Sequence, residues 1–430
     1  MAAALKRLGD QAVLSAFWFA WEVHWAALLG AAMQAQTARF VAPGAIGTAT
    51  AILSGAGAAC SIVAQYLAGR ASDAARRRIP FIVAGTLLDV VALFGFALAP
   101  SFISVVFAVF AIQVSLNIAG GPYQALIPDK IPRSRQGGAS AVMAFYRLAG
   151  NAVGLLAAKR LVVQPDPTVP AATVTHGLIM LAIVLSVVLL AALAVTLIGV
   201  RDEPAPKADE VASKPAVDWP ERASFVWLVI SRSLVSMGLY LILPFFAFFL
   251  RFALHVQSYI HMSVDVLLAM VGFSIIGTVP AYLLADRVSK KAVMFGAMFV
   301  LAAGAAVLSQ LPDTRYVIAV AIALGIGWGA YYAVDWALAC NLLPAGRAGA
   351  LMAIWNIGAS GPQVLSPAIG GVLVDRIGAA AKDPGAGYRL VFELLAVYVI
   401  LGAVALGFVR EPRGEGKVQG GTKRPAQRKE

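Results

Sequence analysis

Charged side chains stand inside long apolar runs at Glu22, Arg147, Arg232 and Asp335, and again at Asp89 and Glu393. A charge at the centre of a bilayer costs roughly 2.5–3.5 kcal/mol on insertion scales, so such groups face a bundle interior or one another. With a helical rise of about 1.5 Å per residue, Glu22, Arg147 and Arg232 all fall roughly 12–15 Å from one end of their runs, near the midplane. Glu22 has two readings, a carboxylate that takes up a proton or a fixed partner for an arginine. Arginine stays charged and grips a carboxylate with two bonds. Either arginine can therefore neutralise Glu22, leaving the other for Asp335 or an anionic solute. Asn151 follows Arg147 by one turn, and Tyr240 follows Arg232 by two.

Uncharged polar residues form stripes beside these charges. Gln113, Asn117 and Gln124 recur at helical spacing with Gly120 and Gly121 between them. Amides so arranged hydrogen-bond a hydroxylated or carboxylated solute, or tie helices together. Trp328, Tyr332 and Asp335 make one further stripe, and Asn356, Ser360 and Gln363 another. An aromatic face beside amides suits a sugar ring, and it equally suits helix packing. His24 lies two residues beyond Glu22, roughly 200° around the helix, and so points elsewhere.

Enzyme chemistry finds little support. The four histidines are scattered, and His255 and His261 lack a third ligand, so no metal is expected. No phosphate-cradling loop, nucleophile elbow or zinc-protease helix occurs. Neither a cofactor nor a catalytic residue is expected. Cys60 and Cys340 sit in separate apolar runs and form no framework.

The elements that must position these groups are transmembrane helices. Of 430 residues, 60% are hydrophobic and only 13% charged, half the charged share of a soluble domain. A span needs about 20 apolar residues. Runs of that length lie near 11–37, 45–68, 79–99, 101–127, 137–163, 173–200, 224–252, 258–285, 290–310, 314–342, 348–374 and 387–410. They are too long for barrel strands. The first is longer than the apolar core of a signal peptide and lacks a small-residue cleavage site, so it is read as a retained helix. The net charge of +12 is concentrated between the runs. With the N-terminus inside, 24 basic residues fall on the cytoplasmic side and eight on the other. The positive-inside rule then places both termini in the cytoplasm, in the inner membrane of a cell. No aromatic-interleaved basic patch suggests nucleic acid; lipid and a small solute are the expected partners, with the chain a monomer.

The expected fold is an all-α polytopic membrane protein of twelve helices in two pseudo-symmetric six-helix bundles, residues 1–200 and 224–412. A proline-rich cytoplasmic linker at 201–223 joins them, and a basic tail at 413–430 is expected to be disordered. An internal repeat supports the division. Ser140 to Asn151 aligns without gaps on Gly349 to Ser360, pairing Ala141 with Ala350, Met143 with Met352 and Ala144 with Ala353. The loop after the second span also recurs, as Asp73 before Arg76, Arg77 and Arg78, and as Asp286 before Arg287, Lys290 and Lys291.

Twelve spans, a central linker and twin acidic-then-basic loops resemble the major facilitator superfamily. Gly69, Asp73, Arg77 and Arg78 match its loop signature, while Ala74 replaces an arginine, Arg76 a glycine and Tyr282 a second-half glycine. Within it the first half resembles the sucrose-type and glycoside–pentoside–hexuronide sugar:cation symporters. The matching pieces are Phe19-Ala20-Trp21, Ser72-Asp73, Pro80-Phe81-Ile82, Asn117 and Gly121-Pro122. Gln113 and Gln124 stand where that pattern carries an aspartate and an arginine. The resemblance implies a secondary carrier that works by alternating access, coupled to a proton or cation and moving a sugar or organic anion. The alternative is an efflux carrier for amphipathic compounds, with an integral-membrane enzyme the remote third. It also implies a conformational latch. Asp73 with Arg77 would engage the start of the eleventh helix, whose N-terminus carries about half a positive charge. Asp286 with Arg287 would engage the fifth.

Overall fold

In a computed structural model, residues 2–130, 136–200, 219–285, 288–343 and 348–411 are described. Asp286 and Arg287, the linker to residue 218 and the tail from 412 lie outside them. The described residues form helices and no strand. We number them α1 (residues 2–40), α2 (Pro43–Ala75), α3 (Ile79–Ala97), α4 (Phe102–Lys130), α5 (Gln136–Leu161) and α6 (Ala171–Gly199). The second set is α7 (Arg222–Phe252), α8 (Tyr259–Ala285), α9 (Lys290–Gln310), α10 (Val317–Asn341), α11 (Ala348–Ala381) and α12 (Pro384–Gly407). Among the described residues, 11 segments are apolar and long enough to cross a bilayer. The remaining helix, α5, carries Arg147, Asn151, Lys159 and Arg160. The expected spans agree with the helices to within a few residues, except that α1, α2 and α11 extend about two turns further.

Local chemistry sets several ends. Pro80 and Pro384 occupy first turns, where the missing N–H costs nothing. Asp383 caps α12 through the Gly385 N–H at 2.8 Å, and Ser289 caps α9 through Ala292 N–H at 3.2 Å. α2 stops at Arg76, which is left-handed at φ 56°. That conformation favours glycine, which accounts for the glycine of the superfamily signature at this place.

Three helices are interrupted. α1 and α2 each contain a π-turn, at Leu28–Ala32 and Ile52–Ala56. Gln34 Nε2 donates to Leu29 O at 2.6 Å, taking up a carbonyl at the first of them. α7 breaks between Leu239 and Ile242. Pro244 explains it, since its ring excludes the carbonyl four residues back, at Tyr240.

Packing repeats with an offset of six helices. α1 packs on α5 and α6, α2 on α4, and α3 on α4 and α6. Correspondingly, α7 packs on α11 and α12, α8 on α10, and α9 on α10 and α12. These are the two pseudo-symmetric bundles expected. They meet where α2 packs against α11, α5 against α8, and the Leu28–Phe40 part of α1 against α7 and α8. The end at which residues 201–218 join α6 to α7 is called the linker end, and the opposite one the far end.

Candidate functional site

The midplane charges come together as two ion pairs, one in each bundle. In the first, Arg147 on α5 donates from Nε to Glu22 Oε1 on α1 at 2.7 Å, and its Nη2 lies 2.6 Å from the same oxygen. The Arg147 side chain is 47% exposed and that of Glu22 15%, although both sit in mid-helix. Gly150 makes this approach possible, because a methyl there would strike Phe19 O and the Glu22 side chain. The Trp18 ring lies 5.1 Å from the Arg147 guanidinium.

In the second, Arg232 Nη1 on α7 donates to Asp335 Oδ2 on α10. Both side chains are buried. The Arg232 guanidinium also lies over Trp355, 3.4 Å from the ring centroid, and 5.8 Å from that of Tyr332. Arg232 Nε, Asp335 Oδ1, Tyr331 Oη and Trp355 Nε1 are buried without a hydrogen-bond partner among the described residues. Polar burial of this density marks a spot specified by something other than packing alone.

Tyr240 and Tyr332, both in the second bundle, lie within electrostatic reach of Arg147 as well as Arg232. The Arg147 side chain is half-exposed in the middle of α5.

The remaining expected residues divide. Gln113 and Asn117 are buried in the first bundle. Asn117 Nδ2 donates to Gln113 O at 2.8 Å, and the Gln113 side chain fills the space above Gly57 of α2. Gln124, further along α4, is exposed. Asn151 and Gln363 are partly exposed and Asn356 is exposed. Asp73 pairs with Arg78 at the linker end of α2, and its side chain is 65% exposed.

The sequence reading passed over several polar contacts. His24 Nε2 lies 3.1 Å from Asp89 Oδ2, both fully buried, and Ser115 Oγ donates to Asp89 Oδ1 at 3.1 Å. This knits α1, α3 and α4. Several polar ties between the bundles lie toward the far end. Asp375 of α11 accepts from the Gly47 and Thr48 N–H groups of α2. Lys159 of α5 pairs with Asp265 of α8. Gln34 Nε2 donates to Leu243 O at 3.0 Å, and the Ile260 N–H to Gln164 Oε1 at 3.1 Å. An aspartate one turn after Gly370 and Gly371, near the end of an apolar run, was the available signal for Asp375.

A family model described as Major Facilitator Superfamily matches residues 228–430. No curated protein matches the chain. Among solved structures, the chain is similar to a bacterial homologue of the human lysosomal transporter Spinster in its inward-facing, occupied conformation, at 13% identity and a TM-score of 0.74, covering 94% of this chain and 96% of that one. It is similar to a D-xylose–proton symporter at 14% identity and a TM-score of 0.69, covering 93% and 97%. It is similar to the nucleoside transporter NupG at 14% identity and a TM-score of 0.65, covering 93% and 98%. At such identities the likeness establishes the fold, a polytopic twelve-helix membrane architecture shared with transporters.

Proposed function

We propose that this chain is a secondary carrier that moves a small polar solute between its two bundles by alternating access. The observation that carries the reading is one mid-helix arginine–carboxylate pair in each bundle, with the Arg147 side chain half-exposed, between bundles tied together at the far end; the space they flank is the proposed chamber. Residues 1–200 and 224–412 act as the two rocking bodies, 201–223 as their linker and 413–430 as a tail. The linker end and both termini are cytoplasmic and the membrane is the inner one, by the distribution of lysine and arginine. The chamber therefore faces the cytoplasm. Asp73 with Arg77, and Asp286 with Arg287, latch the cytoplasmic end in the opposite state.

Pairing narrows the solute. Each arginine already holds a carboxylate, so the four charges sum to zero. Between a sugar and an organic anion, the neutral polyhydroxylated solute is favoured. Trp18, Tyr240 and Tyr332 offer ring faces, while Gln124, Asn151, Asn356 and Gln363 offer amides. The first-half resemblance to sugar:cation symporters points the same way. Glu22 is the coupling carboxylate, because it is the one that solvent reaches. Protonation would release Arg147 and shift the balance between the two open states.

Reconstituted protein with an imposed proton gradient tests this. Wild type should accumulate a sugar, and Glu22→Gln should lose accumulation while retaining counterflow exchange. Undiminished proton-driven accumulation by Glu22→Gln would remove the coupling role. Failure of wild type to move any sugar or carboxylate would remove the carrier reading.

A further inference from the structure

The α-helical part of α2, which starts at Ile46 after the 3-10 turn Pro43–Ala45, begins without a cap of its own. Its N-cap residue is Ala45, which offers no side-chain acceptor to the first turn. Helix N-termini leave N–H groups without intrahelical partners, and an N-cap side chain ordinarily satisfies those of the second and third helical residues. In α2 these are Gly47 and Thr48. Their N–H groups donate to Asp375 of α11, in the other bundle, at 2.9 Å to Oδ1 and 2.7 Å to Oδ2. A carboxylate is the best complement to the partial positive charge there. The helix is thus capped in trans, across the seam.

The surrounding residues fit this contact. A methyl group on Gly47 would collide with Gly371 O and the Asp375 carboxylate, and one on Gly371 would collide with Gly47 O. The backbones touch because neither residue has a side chain. A cavity of about 240 Å³, bordered by Pro43, Gly44, Asp375 and Lys382, lies against the contact. Once the seam parts, water can reach both the carboxylate and the N–H groups.

We propose that Asp375 is the far-end latch. By capping α2 from α11 it holds the bundles together at that end, and its release permits opening there. The seam between α5 and α8 is held differently, by side-chain pairing of Lys159 with Asp265. The latch is a property of the fold at rest, and its role in transport rests on the carrier reading above.

Pulsed electron-paramagnetic-resonance distances test it without any solute. Cys60 and Cys340 are replaced by alanine. Spin labels are placed at Ala42→Cys and Ala380→Cys, exposed positions on either side of the seam. In lipid nanodiscs the parent should show mainly the short far-end distance. Asp375→Ala should raise the long-distance population roughly tenfold, the change that ~1.4 kcal/mol of lost capping produces, and Asp375→Asn, which keeps one acceptor oxygen, should raise it less. Ala45→Asp leaves Asp375 in place, supplies a cap in cis and sets two carboxylates in competition. It should open the same seam, and it remains informative if the position-375 variants do not fold. Unchanged distances in the folded variants overturn the latch. Opening in a protein that transports no solute keeps the latch and sinks the carrier reading; transport with unchanged distances does the reverse.

Discussion

Arg147 turns two guanidinium nitrogens onto a single oxygen of Glu22, at 2.7 and 2.6 Å, while Glu22 Oε2 accepts no hydrogen bond from the described residues. A fork that closes on one oxygen leaves the other open, and on the proposed function it accepts from a solute hydroxyl. Lysine cannot reproduce this, since its ammonium is a point donor without the planar fork. Arg147→Lys should raise the transport KM roughly tenfold, the equivalent of one charge-assisted hydrogen bond at its weaker limit. Thermal stability should change little, because the Arg147 side chain is 47% exposed. Initial-rate counterflow measurements check this, and a melting point falling together with the affinity would assign Arg147 to packing instead.

The pair in the second bundle should behave differently. Arg232 and Asp335 are 6% and 0% exposed, so neutralising either leaves the other charge buried and alone. Breaking such a pair costs about 3–5 kcal/mol, whereas replacing both members with apolar residues can be neutral. Asp335→Asn should therefore unfold at markedly lower temperature in detergent, and Arg232→Met with Asp335→Leu should recover most of the loss. A double variant no more stable than the single one would show that the pair is not the unit of stabilisation.

The sequence disclosed the helices and their division because apolar length and the position of Arg and Lys are local properties. The α4 stripe shows where that reasoning ends. Gln113, Asn117 and Gln124 share a face by spacing, yet Gln113 meets α2 at Gly57 while Gln124 is exposed. A helical face has no label saying which part meets a neighbour. Ion pairing was legible as residue types and illegible as partners, since Glu22 could have met either arginine. Asp375 was missed because its partners are backbone N–H groups of Gly47 and Thr48, which carry no signature in sequence. The π-turns of α1 and α2 were missed for the same reason.

Small residues let α8 and α10 lie together. A methyl on Gly329 would strike Ser274 O, and Thr278 Oγ1 reaches Gly329 O at 3.2 Å. Without a hydrophobic drive between helices in lipid, such close packing and interhelical bonding hold a bundle together. Gly329→Ala should lower the detergent melting temperature by several degrees. Gly272→Ala, on α8 where an added methyl meets open space, should not. Equal effects from the two would show that the close approach of α8 and α10 at Gly329 does not set the outcome.

Lys159 and Asp265 close the other seam, but their side chains are 36% and 43% exposed. A solvated pair of this kind contributes about 0–1 kcal/mol and weakens with salt. Lys159→Ala should therefore increase far-end opening less than fivefold, well short of the effect expected at Asp375, and 1 M salt should largely remove the difference from wild type. Exchanging the charges, Lys159→Asp with Asp265→Lys, should restore closure only in part. Lys159 stands in the last turn of α5 and complements that helix's dipole, which an aspartate there would oppose, while Asp265 lies beyond the first turn of α8. Complete restoration would show that the direct ion pair alone matters at this seam, and no restoration that the lysine acts through packing of its stem.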